Sequence, residues 1–467
     1  MAAVLLTCTL LVIAWGVFAF GAVYPWAYTP LLIGCVVTGA LQLWSRRGEP
    51  HPNRACAAGV AIVGLATLVQ VVPIPSRTLA VVSPATDEFL REYDLAYSFS
   101  PENLSTHSLS INATATLRAI AFLGALSVLM LGTVRVASAY GPWPIVAGVI
   151  SIGLLVALMG IVQQANFTGK IYGFWQPLFG KSPFGPFVNP NHFAGWMLMA
   201  VPLGLGSLSG LVADGMHDVK PGWRHRLLWF SSAEANTTVL VGASLLVMGL
   251  SLVLTLSRSG IAAFGAALVL AAIVVMRRQR RSVRGRVLFG YLLCLGLLSV
   301  GLTGVEAVVT HFAAVPGSQL GGRISVWRDT LAVARDFWLT GSGLNTFGTA
   351  MLLYQSHSPN EHYREAHNDY LQLTAEGGLL VGIPIVILIV LFVREVRRRF
   401  RDQKDDSRTY WIRVGAVTGL VAVACQDLVE FSLQLPGNAV LFCVLAAIAV
   451  HPCRLRASSR STASTST

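Results

Sequence analysis

Arg258 in "TLSRSGIAAF", Arg323 in "GGRISVWRD" and His367 in "REAHNDYLQ" are residues whose types could do chemistry together. A guanidinium is a planar, permanently charged fork that binds phosphate oxygens bidentately. A neutral imidazole can accept a proton from a hydroxyl near neutral pH. Two such forks and one such base suit a diphosphate leaving group and an attacking hydroxyl. The sequence has no Gly-rich loop ending in Lys-Ser/Thr. Nor do its outer connections carry a DxD-type pair for a divalent ion. The leaving group's charge would then be met by arginines, without metal or nucleotide cofactor.

Each residue also has a plainer role. Arg258 can snorkel to lipid headgroups, and a lone interfacial histidine is ordinarily just a hydrogen-bonding residue. Arg328 follows Arg323 by five positions, about 140° round a helix, so the two share a face poorly. One can face a ligand while the other is solvated, with Asp329 or Asp336 as a partner for Arg328. The Gly321-Gly322 pair would let backbone approach something closely, which favours Arg323 as the ligand-facing residue.

Supporting candidates surround these three. "FGPFVNPNHFAGW" supplies Asn189, Asn191 and His192, with Asn191 also placed to cap a helix. Asn368, Asp369 and Tyr370 follow His367, and Asp427 and Glu430 fall near the outer end of a later apolar run. Unpaired carboxylates are unfavourable there, so one of them is expected to pair with an outer arginine or contact a sugar hydroxyl.

The elements that must position these groups follow from composition. Only 12% of residues are charged, mean hydropathy is +0.63, and long apolar runs recur. That is an all-α polytopic membrane protein, since barrel-type alternation is absent. Spans are expected at about 2–23, 28–44, 55–73, 116–134, 144–164, 192–212, 237–256, 260–276, 287–304, 377–393, 412–430 and 437–452, twelve in all. The first reads as a retained helix, because it has neither a basic n-region nor a convincing cleavage site. Seven cysteines in or beside apolar runs, without CxxC or Cys/His spacing, imply neither a disulfide framework nor a zinc site.

The net charge of +12 is loop asymmetry, not a nucleic-acid surface. With both termini cytoplasmic, 24 of the 34 Lys and Arg lie inside and 10 outside, which sets the orientation. The chain then divides into N-terminal helices with a first outer loop (1–115), central helices (116–304), a large outer loop (305–376), C-terminal helices (377–452) and a disordered tail (453–467). Within the large loop, "RISVWRDTLAVARDFW" reads as an interfacial amphipathic helix with Ile324, Trp327, Leu331 and Ala334 or Val333 on its apolar face, followed by a break at "GSGLNTFG".

The pieces "FVNPNHFAG", "LSRSG", "GGRISVWRDTLAVARDFWLTGSGLNTF", "AHNDYLQLTAEGGLLVGIP" and "EFSLQLPGNA" together resemble the O-antigen ligase and polymerase superfamily of bacterial membrane glycosyltransferases, in order from about 184 to 450. The resemblance implies a C-class glycosyltransferase architecture in the bacterial inner membrane, with the active site on the periplasmic face. It implies transfer of a glycan from undecaprenyl diphosphate to an acceptor hydroxyl, with Arg258 and Arg323 on the diphosphate and His367 activating the acceptor. The acceptor stays open among lipid A core, a second lipid-linked glycan and a protein Ser or Thr, with the ligase favoured by analogy. The loops at 74–115 and 345–366, including His357 and His362, are expected to form the acceptor surface.

A twelve-helix transporter is the main rival. It would show half-repeats, broken helices meeting at mid-membrane and charges there, whereas here polar residues collect at the outer lip. A non-catalytic scaffold would tolerate replacement of Arg258, Arg323 and His367.

Overall fold

The computed structural model describes residues 1–45, 53–99, 106–166, 168–177, 182–217, 219–220, 222–278, 317–357, 362–402 and 406–452. The expected ninth span, 287–304, and the tail, 453–467, lie outside the described residues. The other eleven expected spans all coincide with helices. In order they are α1 (Ala2–Phe18), α2 (Pro25–Trp44), α3 (Arg54–Val69), then, after a connecting segment with short helices, α7 (Ala113–Tyr140), α8 (Trp143–Ala165), α9 (Pro190–Gly215), α11 (Asn236–Leu254), α12 (Arg258–Arg278), α15 (Asp369–Arg401), α16 (Ser407–Gln426) and α17 (Pro436–Val450).

Six of these, α2, α7, α8, α9, α11 and α15, are long and apolar enough to cross a membrane. Helices α1, α3 and α17 have 17, 16 and 15 residues, about 23–26 Å at 1.5 Å per residue, somewhat short of a roughly 30 Å hydrocarbon core. The chain is therefore a predominantly helical polytopic membrane protein, with six helices among the described residues that qualify as spans by length and composition.

Packing centres on α9 and α16. Their backbones touch through small residues: a Cβ on Gly206 would overlap the Trp411 carbonyl, and one on Gly419 would lie 2.8 Å from the Met199 carbonyl oxygen. Close backbone approach through glycines is how membrane helices gain dispersion contact where lipid offers no hydrophobic gradient. Arg413, fully buried in α16, donates to the carbonyls of Ala449 (2.6 Å) and His451 (3.1 Å) and so satisfies the C-terminal end of α17.

The segment between α3 and α7 folds into α4 (Ser76–Val82), α5 (Pro84–Tyr93) and α6 (Leu95–Ser98), closed by an antiparallel pairing of Ile74–Pro75 with Thr106–His107. Between α9 and α11 lies the short α10 (Trp223–Phe230). The large loop supplies α13 (Gly317–Asp336) and α14 (Phe347–Tyr354).

Helix α13 forms where expected, with one face packed against protein and another exposed. Val326, Thr330, Val333 and Phe337, spaced i, i+4, i+7 and i+11, are buried, whereas Ile324 and Leu331 are 48% and 57% exposed. The buried stripe packs on Phe347, Ala350, Met351, Ala366 and Ala375. Val333 of the expected apolar face is thus packed against protein, while Ile324 and Leu331 stay on the outside of the helix. At Gly322 the backbone faces open space, since a Cβ there would meet nothing within 4 Å.

The "GSGLNTFG" break docks onto a kink in α15. Gly378 (φ +54°) interrupts that helix, and Gly341 (φ +70°) lies against it so closely that a Cβ on either would overlap backbone of the other segment. The amides freed by the kink are re-paired: Leu379 and Leu380 donate to the carbonyls of Trp338 and Leu339 (both 2.9 Å). Ser342 and Gly343 donate back to Ala375 and Glu376 (both 3.0 Å). Gln70, at the end of α3, clasps the same junction through Thr340, Glu376 and Leu344. Such satisfaction is what allows a helix to break beside a membrane.

Candidate active site

The turn before α15 is built to present one side chain. Asn368 caps the helix, its Oδ1 accepting from the Leu371 amide at 2.9 Å. Ala366 is held on both sides: its amide donates to Gln372 Oε1 and its carbonyl accepts from Trp327 Nε1, each at 2.9 Å. Between these fixed points His367 adopts φ +51°, a left-handed conformation that costs a non-glycine residue on the order of 1–3 kcal/mol and persists only when neighbours over-determine it.

His367 meets Glu430 and Phe431 in the connection between α16 and α17, and through Glu430 it is linked to Arg323 and Asn191. Its Nδ1 lies 3.7 Å from Glu430 Oε2, an electrostatic approach longer than a hydrogen bond. The other Glu430 oxygen accepts from Arg323 Nη2 at 2.7 Å and from Asn191 Nδ2 at 2.8 Å. Glu430 is 1% exposed. Burial would raise its carboxyl, but His367 and Arg323 together outweigh burial and hold it below the ordinary carboxylate range. The Phe431 ring stands edge-on to both His367 (4.9 Å) and the buried His192 (4.8 Å).

A second layer of polar groups fixes these residues. Gln426 donates to the Asn191 carbonyl and accepts from Ser432 Oγ; Asn438 donates to the His192 carbonyl. Asp427 Oδ1 accepts from the Ser432 amide at 2.9 Å, and its carbonyl accepts from the Asp369 amide at 3.0 Å. Burial, reinforced by nearby Asp369, pushes the Asp427 carboxyl up. Asp369 Oδ1 accepts from Gln434 Nε2. The Tyr370 hydroxyl ties α15 to α16 by donating to the Ala424 carbonyl at 2.7 Å.

Several expectations are corrected here. Asn189, not Asn191, caps α9, its Oδ1 accepting from the Asn191 amide at 2.9 Å, which frees the Asn191 side chain for Glu430. Helix α16 ends at Gln426, so Asp427 and Glu430 lie in the connection to α17 and not within a span. Glu430 is the carboxylate that pairs with an outer arginine. Asp329 binds the Ser356 amide and hydroxyl, and Asp336 binds Arg335 and Tyr354, so neither anchors Arg328, which is exposed on another side of α13.

Arg258 opens α12. Gly260 packs so closely on Ala194 that an added Cβ would lie 2.8 Å from the alanine methyl. This sets the head of α12 beside the first turn of α9, which carries Asn191 and His192. The sequence reading missed Phe431, Gln372, Gln426, Gln434 and Trp327 as organisers. The polar residues of 426–438, amid apolar runs, were the available signal. Among the described residues, no group of three His, Cys, Asp or Glu side chains could hold a metal ion.

Fold and site together define a polytopic helical membrane protein with a charged, buried-carboxylate centre where connections between its helices meet. Residues 243–386 match the family described as O-Antigen ligase, which supports the O-antigen ligase superfamily and a membrane glycosyltransferase type of enzyme. The match contains Arg258, Arg323 and His367 but not Asn191 or Glu430, which the fold adds from outside it. No curated protein matches the chain.

Proposed function

We propose that the protein transfers a glycan from undecaprenyl diphosphate to an acceptor hydroxyl at the periplasmic face of the bacterial inner membrane, most simply the ligation of O-antigen to lipid A core. The observation that carries this reading is the Arg323–Glu430–His367 arrangement, with two of its members inside the segment matching the O-Antigen ligase family. In the proposed orientation both termini are cytoplasmic, and the lipid tail of the donor lies among the helices.

His367 turns Nδ1 toward an ionised carboxylate, which favours a proton on that nitrogen and leaves Nε2 as the base. The acceptor hydroxyl loses its proton to Nε2 as its oxygen bonds to the anomeric carbon. The bond from that carbon to the diphosphate oxygen breaks, and the departing electron pair adds to a charge met by Arg258 and Arg323. The proton passes from His367 to solvent. Glu430 holds both arms of the site, presenting the Arg323 fork and orienting the imidazole.

The test is reconstitution of purified protein with undecaprenyl-diphosphate-linked glycan and lipid A core in the presence of EDTA, with a His367→Ala control. Transfer by the wild type alone supports the ligase. A lengthened lipid-linked glycan, without transfer to core, would make it a polymerase, and a modified protein substrate would make it a protein oligosaccharyltransferase. Activity lost to EDTA and restored by a divalent ion would overturn the metal-free mechanism.

A further inference from the structure

Beside the His367 centre lies a cleft of about 360 Å³ between the outer end of α7, helix α14 and the start of α15. Its volume falls in the range of roughly 300–1,000 Å³ typical of small-molecule sites. Four carboxamides, Asn112, Asn345, Gln372 and Gln434, line it together with Thr349, His362 and ionisable side chains.

These carboxamides are oriented from within the protein, yet the named bonds use only part of their capacity. Asn112 caps α7 through Oδ1, Asn345 donates to the Ala115 carbonyl, Gln434 donates to Asp369, and Gln372 donates to Glu376 and to Gln434 Oε1. Below them the buried Glu376 carboxylate accepts from the amides of Asn345 (2.9 Å) and Phe347 (2.8 Å), which fixes that wall in place. The charged lining has both signs, Arg118 and Arg364 against Glu365 and Glu376. Mixed donors and acceptors without a dominant charge suit hydroxyl groups, which do both, better than a diphosphate.

The cleft and the reaction centre share one segment. Gln372 lines the cleft, and the same side chain holds the Ala366 amide next to His367. Glu365, two residues before His367, lines it as well. We infer that this cleft seats the terminal sugars of the acceptor glycan, an assignment that rests on the glycosyl-transfer reading.

Gly348 offers the test. It lines the cleft, and a Cβ there would lie 3.5 Å from both His362 Nε2 and the Arg364 Cα, in ordinary contact, so a larger side chain fits the backbone and fills the space. Gly348→Phe and Arg118→Gln should each raise the KM for lipid A core at least tenfold while the donor KM stays within twofold. Leu352→Phe, on the exposed side of the same helix, controls for added bulk. An unchanged acceptor KM in both variants, or a rise in donor KM instead, overturns the cleft assignment and leaves glycosyl transfer standing.

Equilibrium binding of delipidated core oligosaccharide, measured without donor, separates the two ideas. Saturable binding weakened at least tenfold by Gly348→Phe supports the cleft even if the wild type transfers nothing, in which case only the transfer reading fails. Binding that is absent, or indifferent to both Gly348→Phe and Arg118→Gln, overturns it. If the wild type instead extends lipid-linked glycan or modifies a peptide, the same KM comparison on that acceptor decides. A peptide acceptor would overturn the saccharide class.

Discussion

Arg323 and Glu430, 107 positions apart in sequence, meet at 2.7 Å, one side chain 31% exposed and the other 1%. A buried carboxylate holding a part-exposed guanidinium leaves the rest of the fork directed toward solvent, at the point where His367 and Asn191 converge on the same acid.

Arg323→Lys should therefore be damaging, although the charge is kept. An ammonium can satisfy Glu430 or a phosphate oxygen but cannot hold both with a planar fork. Transfer should fall roughly 10²-fold, the scale for losing one preorganised donor to developing charge. Initial-rate measurements in the reconstituted system check this, and a Lys variant working at the wild-type rate would refute the diphosphate role.

Trp327 acts through the backbone of the turn that carries His367. Trp327→Phe keeps most of the packing but removes the donor to the Ala366 carbonyl. The expected result is kcat lowered several-fold with the donor KM unchanged, because His367 is positioned less well while the arginines are untouched. If Trp327 only packs, the Phe variant will match wild type in both parameters.

Two carboxylates should act on opposite sides of the pH–stability profile. The depressed Glu430 contributes stability that is present above the ordinary carboxylate range and is lost as pH falls through its lowered value. The raised Asp427 contributes stability that is full below the ordinary range and is lost as pH rises toward its elevated value. Thermal unfolding in nanodiscs should show the acid limb flattened by Glu430→Gln and the alkaline limb flattened by Asp427→Asn, which keeps the acceptor for the Ser432 amide. The same change in both variants would count against this assignment.

Gly341→Ala tests the docking of the large loop onto the kinked helix. Its φ of +70° and the Glu376 carbonyl against it leave no room for a methyl group. Loss of at least about 2 kcal/mol is expected from strain and displaced backbone bonds. It should be visible as a lower unfolding midpoint and as faster proteolysis near 338–346. A stable, protease-resistant variant would show that the loop docks otherwise.

Much of the architecture was legible in the chain itself. Apolar runs located eleven helices because lipid exposure demands continuous hydrophobicity, a local property of each segment. Residue type was enough to nominate Arg258, Arg323 and His367, and the loop glycines announced the break at 341–343. The choice of partners was not legible. That Val326 and Val333 of α13 and Phe337 at its end, but not Ile324 and Leu331, pack against protein is set by the neighbouring α14 and α15, since the helix carries apolar residues on more than one side. Glu430 becomes the hub of the site, with Arg323 and Asn191 as its donors, through contacts between segments more than a hundred residues apart. Such pairings depend on where whole helices end and how they cross, and that is decided only when α9, α13, α15 and α16 pack together.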